Sequence, residues 1–85
     1  MNNYLEINGQ NFPDRNFRQF VLNEFDDDHD GKLRAEDTAR ITQIDCSGLN
    51  IMSLKGIEYF IGLESLICSN NNLENLIYNY LTICK

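Results

Sequence analysis

The feature that most constrains the fold of this chain is an internal period of 22 residues. The phrase Ile41-x-x-Ile44-x-Cys46 returns as Leu63-x-x-Leu66-x-Cys68. The match continues from Ile51 to Leu73 and from Leu54 to Leu76. Such a period marks a solenoid, in which each repeat is one coil. A single coil cannot bury its own apolar face, so stacking on a neighbour makes the core. Between the copies, Ile57 and Phe60 lie three apart, as a helical turn on the convex side needs, and Gly56 and Gly62 punctuate the segment. After Leu76 the repeat breaks down, because Leu81-x-x-Cys84 follows Leu63-x-x-Leu66 by only 18 residues. Two copies and a remnant fall short of the roughly three repeats that solenoids usually need.

The later copy, LESLICSNNNLENL, fits the leucine-rich pattern L-x-x-L-x-L/C-x-x-N-x-L, with Asn71 at the asparagine position. In that pattern the asparagine amide bonds backbone groups at the tight turn after each strand, and neighbouring coils stack their asparagines. Asn70 and Asn72 read as solvated turn residues. In the earlier copy Leu49 occupies the asparagine position, so Ser47 or Gly48 is expected to satisfy that turn.

The first half has a different grammar. Tyr4, Leu5 and Ile7 stand out in an otherwise polar start, which reads as a short strand or extended arm. Pro13 and Asp14 signal a helix start. Phe17, Phe20, Val21 and Phe25 then form one apolar face of a helix over about residues 14–25. Directly after it comes DDDHDGKLRAED, Asp26 to Asp37. Carboxylates stand at loop positions one, three and five (Asp26, Asp28, Asp30), glycine at six (Gly31), an aliphatic residue at eight (Leu33) and Asp37 at twelve. This is the pattern of an EF-hand calcium loop. Alternate residues aim oxygens into one concavity, and Ca²⁺ takes roughly six to eight of them. The expected ligands are Asp26, Asp28 and Asp30 through their side chains, Lys32 through its backbone carbonyl, and Asp37. Asp37 is one methylene shorter than the usual glutamate, and Arg34 at position nine offers no oxygen, so Mg²⁺ is the alternative ion. Asp27 and His29 point outward in this pattern. Residues 35–41 read as a second, shorter helix with Ala39 and Ile41 inward, completing a helix–loop–helix unit.

With 13 acidic and 7 basic residues among 85, the net charge is −6, and the excess is concentrated in the loop. Local acidity argues for a cation and against a nucleic-acid backbone. No apolar run approaches about 18 residues, so no membrane insertion is expected. The first residues lack a charged start followed by an apolar run, so no targeting segment is expected. Cys46, Cys68 and Cys84 are odd in number and widely spaced, which indicates neither a zinc site nor a disulfide framework. Cys46 and Cys68 read as stacked core residues, and a bridge between them suits in-register parallel strands badly. Cys84 reads as a reactive thiol or one half of an intermolecular disulfide. Nothing in the chain supports an enzyme: there is one histidine, no Gly-rich phosphate loop and no pocket-forming acid–base pair.

The phrases NFPDRNFRQFVLNEFDDDHDGKL and SLKGIEYFIGLESLICSNNNL resemble bacterial leucine-rich repeat proteins whose first repeat is covered by an EF-hand-like helical cap, the internalins being the best-known relatives. The resemblance covers about residues 7–76. It implies a right-handed solenoid with a short parallel strand per coil, a secreted or surface location, a binding role toward protein partners, and no chemistry.

The expected architecture is therefore α/β: an EF-hand-like helix–loop–helix cap over residues 1–41 and truncated leucine-rich repeats of about 22 residues over 42–85, in one continuous structural domain. The expected function is a non-enzymatic protein-interaction module whose calcium loop stabilises the cap. The rival is a calcium-responsive regulatory or dockerin-like assembly module; against it, only one loop is present. Tyr59, Tyr78 and Tyr80 are candidates for a partner-binding aromatic surface, with convex packing and covering of the last coil the favoured reading for Tyr78 and Tyr80. The C-terminal edge of the core is expected to be covered either by Ile77–Cys84 or by a second chain in a homodimer.

Overall fold

In the computed structural model, residues 4–26 and 28–73 are described. The arm reading of the N-terminus resolves into strand β1, Tyr4–Glu6, which pairs antiparallel with β2, Lys32–Arg34, in the register Leu5↔Leu33. Between them lies α1, Arg15–Phe25. Asp14 caps it: the Phe17 N–H donates to Asp14 Oδ1 at 2.9 Å, meeting one of the amides that a helix start leaves unpaired. α1 buries Phe17 and Val21, while Phe20 and Phe25 pack half-buried against the same core. α2, Ala35–Arg40, follows β2 without a break. Its inward residue is Thr38, whose hydroxyl donates to Ala35 O at 3.0 Å. Ala39, expected inward, is exposed, and Ile41 is half-buried. The cause is close backbone packing: Gly62 N–H donates to Thr38 O, and a Cβ on Gly62 would stand 2.0 Å from Ala39 O. The helix end lies against a bare glycine rather than inserting a side chain.

The period becomes physical in β3, Gln43–Asp45, and β4, Ser65–Ile67. They pair parallel in the register Ile44↔Leu66, an offset of 22 residues. Ile44, Cys46, Ile51, Leu66 and Cys68 are buried, and Gln43, Asp45 and Ser65 face out, as alternation in a half-buried strand demands. A short 3-10 helix, Ile57–Tyr59, sits in the connection, with Ile57 and Phe60 buried. One parallel pair is not a solenoid; the described architecture is a mixed helix-and-strand fold with two small sheets.

Phe12 lies at the centre, fully buried. Its ring meets Phe17 at 5.8 Å and Tyr59 at 5.9 Å, both edge-on, and Phe60 at 6.4 Å. One side chain thus touches the helix and the convex connection together. Gly56 makes room for it: at φ 111° a side chain is strained, and a Cβ there would stand 2.3 Å from the Phe12 ring.

Asn71 corrects the expectation for the Leu49 turn. Neither Ser47 nor Gly48 supplies the missing amide; Asn71 of the next copy does. Its Oδ1 accepts from Leu49 N–H at 2.9 Å and Ile51 N–H at 3.0 Å. Its Nδ2 donates to Cys46 O at 2.9 Å and Cys68 O at 3.1 Å, with Ser69 O at 3.4 Å. Ser47 bonds Asp45 instead. Asn72 and Asn50, also 22 residues apart, hydrogen-bond to each other. A second correction concerns the cysteines. Cys46 is a free, buried thiol, but Cys68 is disulfide-bonded, with its partner outside the described residues. The odd count concealed a bridge beside one leftover thiol. The readings of Asp27, Leu76, Tyr78, Tyr80, Cys84 and the Ile77–Cys84 cover lie outside the described residues.

Candidate functional site

The acidic loop runs from the end of α1 into β2. Asp26 is only 5% exposed. Burial there follows from its bonds: Asp30 N–H donates to Oδ1 at 3.2 Å and Gly31 N–H to Oδ2 at 2.8 Å. Two main-chain donors thus satisfy the buried carboxylate. His29, exposed as expected, takes a left-handed φ of 58°, and its N–H donates to Asp26 O at 3.2 Å. Gly31 follows at φ 73°. These two positive-φ residues coil the chain back so that carboxyl oxygens of Asp26, Asp28 and Asp30 all lie within 4.8 Å of one another.

Crowding has an electrostatic consequence. Hydrogen bonding to Asp30 holds the Asp28 carboxyl above the usual carboxylate range, and desolvation and the Asp30 charge push the same way. Desolvation pushes Asp30 up as well, but the Lys32 N–H and the hydrogen bonds with Asp28 and Asp26 outweigh it and hold Asp30 below its ordinary value. The Lys32 N–H donates to Asp30 Oδ1 at 3.0 Å.

The other two expected ligands stand differently. Lys32 lies in β2, and its ammonium sits 4.4 Å over the Tyr4 ring. Asp37 does not join the three converging carboxylates. Its Oδ2 accepts from Arg34 N–H at 3.2 Å, and its Oδ1 pairs with Arg40 at 2.9 Å. Both contacts are local to α2, where an acid three residues into a helix satisfies the entering amide. Asp37 and Asp28 nevertheless line one cleft of about 270 Å³, with Phe25, Lys32, Arg34 and Glu36. Three carboxylates with oxygens within 4.8 Å of one another form a hard-oxygen donor set of the kind a divalent cation takes.

Two functional-scale features escaped the sequence reading. One is the outward row Gln43, Asp45 and Ser65 on the parallel pair. Their placement between apolar neighbours was the available signal. The other is Asp14, whose second oxygen, Oδ2, accepts from Met52 N–H at 2.8 Å and Ser53 N–H at 3.1 Å. No local spacing announces a bond across 38 residues.

No family model matches the chain. The chain is 37% identical over 65 residues to Internalin J of Listeria monocytogenes serotype 4b (strain F2365). The match takes in 76% of this chain and 7% of that protein's length. It supports a bacterial, internalin-like, leucine-rich repeat relationship over the matched span. Among the described residues, no helix is long and apolar enough to cross a membrane.

Proposed function

We propose that this chain is a non-enzymatic protein-interaction module of leucine-rich repeat type. The observation that carries the reading is the in-register parallel pair at the 22-residue offset, sealed by Asn71. It presents Gln43, Asp45 and Ser65 as one outward polar row on buried strands, a rigid surface of the kind that recognition uses. Similarity to Internalin J supports the same direction. In this reading the module is secreted or displayed at a bacterial surface, an oxidising setting that suits the Cys68 bridge. Residues 42–85 are the truncated repeats, continuous with a helix–loop–helix cap over 1–41. The partner is a protein, not a nucleic acid, since the chain carries −6 and no basic cluster. A photo-crosslinking side chain at Gln43 or Ser65 should trap a bacterial or host surface protein, and one at Glu58 should not. Equal trapping at all three positions, or none, overturns the reading.

The finer part of the proposal is that one Ca²⁺ binds the loop through Asp26, Asp28, Asp30, the Lys32 carbonyl and Asp37, and stabilises the cap. A ligand that binds only the folded state adds stability by mass action. Asp37 would have to leave Arg34 and Arg40 to reach the ion. Calorimetric titration into chelator-stripped protein, repeated with Mg²⁺, tests this. Saturable one-site heat is expected. Asp28→Asn should abolish it with little change of melting temperature in chelator. Asp26→Asn should lower the melting temperature with and without ion, because Asp26 holds Asp30 N–H and Gly31 N–H in the ion-free loop. Absence of heat from folded protein removes the cation and leaves the repeat surface as the functional feature.

A further inference from the structure

The turn that joins β1 to the buried Phe12 contains Asn8 followed by Gly9. Asparagine before glycine is the pair in which the next backbone nitrogen meets least steric resistance when it approaches the side-chain amide carbon. The fold adds three things to that chemistry. First, Asn8 Oδ1 accepts from Gln10 N–H at 3.1 Å and from Asn11 N–H at 3.0 Å. Two aligned main-chain donors on one carbonyl oxygen are the arrangement that stabilises the negative oxygen of a tetrahedral intermediate. Second, among the described residues no acceptor engages the Gly9 N–H, so that nitrogen is not held elsewhere. Third, the guanidinium of Arg18 stands over Gly9, its Nη1 3.2 Å from where a Cβ would be. A fixed cation there favours loss of the Gly9 amide proton.

We propose that Asn8–Gly9 is a self-modifying site, at which the folded chain converts Asn8 to aspartate and isoaspartate. The Gly9 nitrogen loses its proton and bonds to Asn8 Cγ. The Cγ–Nδ2 bond breaks, and ammonia leaves carrying one proton. Water then opens the resulting succinimide at either carbonyl, giving aspartate or isoaspartate. No oxidant or reductant takes part. The isoaspartate product lengthens the main chain by one methylene between β1 and Phe12. It therefore disturbs the bond from Phe12 N–H to Asn8 O, 2.8 Å here, which holds the turn closed.

The test is timed incubation of the intact, disulfide-bonded protein at mildly alkaline pH, followed by peptide mapping that separates the aspartyl and isoaspartyl forms. A parallel sample is kept unfolded in urea. The expected result is conversion at Asn8 ahead of every other asparagine, at a rate in folded protein at least equal to that in urea. Gly9→Ala should slow it several-fold. Arg18→Gln should slow it in the folded sample only. Conversion slower in the folded protein than in urea, or unaffected by Arg18→Gln, overturns the proposal.

Discussion

Asn71 uses both ends of its amide on the main chain of two successive turns. Replacing it with alanine strips the Leu49 and Ile51 N–H groups and the Cys46 carbonyl of this partner in a half-buried turn. Leaving buried polar groups unmet is dearer than losing an average hydrogen bond, so Asn71→Ala should cost about 2–4 kcal/mol in a urea unfolding curve. Asn71→Asp keeps the acceptor, loses both donors, and should fall nearly as far. A change within the noise of a surface substitution would mean that solvent replaces the amide. Cys46 supports a prediction of another kind. Burial, helped by the Asp45 charge, pushes its thiol from 9.0 up to about 11. Folded protein should therefore resist thiol reagents near neutral pH and react only on unfolding. The sign of the pH effect follows. Below 9.0 both states keep the proton; between 9.0 and about 11 the unfolded chain releases it and the folded chain does not. Stability from this source is intact below that window and falls as pH rises through it. The difference in alkaline unfolding between the parent protein and Cys46→Ala isolates the effect from other titrating groups.

At the scale of elements, α1 is anchored at its start and its end by aspartates of opposite reach. Asp14 caps the helix with one oxygen and holds Met52 and Ser53 with the other. Asp14→Ser should retain the cap and lose the long-range bonds, whereas Asp14→Ala loses both. Caps are worth about 1 kcal/mol and hydrogen bonds to a charged group about 1.5–3. Urea denaturation should then rank Ser between the parent and Ala, with Ala down by about 3 kcal/mol. Identical losses for Ser and Ala would mean that the cap is all that matters. α1 itself was legible because its phenylalanines recur at helical spacing behind Pro13 and Asp14. Phe12 was not, since it precedes the proline and stands outside any periodic window. Thr38 in place of Ala39 was missed for a related reason: the inward face of a six-residue helix is set by what it packs on, here Gly62, and not by its own short pattern. The strands were readable through the repeat, because an in-register parallel pair writes its offset directly into the sequence. The acidic triplet was readable from spacing. The diversion of Asp37 to Arg34 and Arg40 was not, because it depends on where α2 begins.

For the whole molecule, the helical half and the repeat half share one core. Phe12 packs on Phe17 of α1 and on Tyr59 and Phe60 of the convex connection, while Asp14 ties the same helix to the turn after Asn50. Unfolding should accordingly be a single transition, with tyrosine fluorescence and far-ultraviolet dichroism tracing coincident urea curves. Separated midpoints would show two units where one is expected. The amide of Asn71 has a further consequence at this scale. Because it closes its own turn and the preceding one, the two copies are not interchangeable tiles. Excision of a segment spanning the second copy would remove the fastening of the first. A lineage that loses the second copy must therefore supply an amide at Leu49 for the first turn to close.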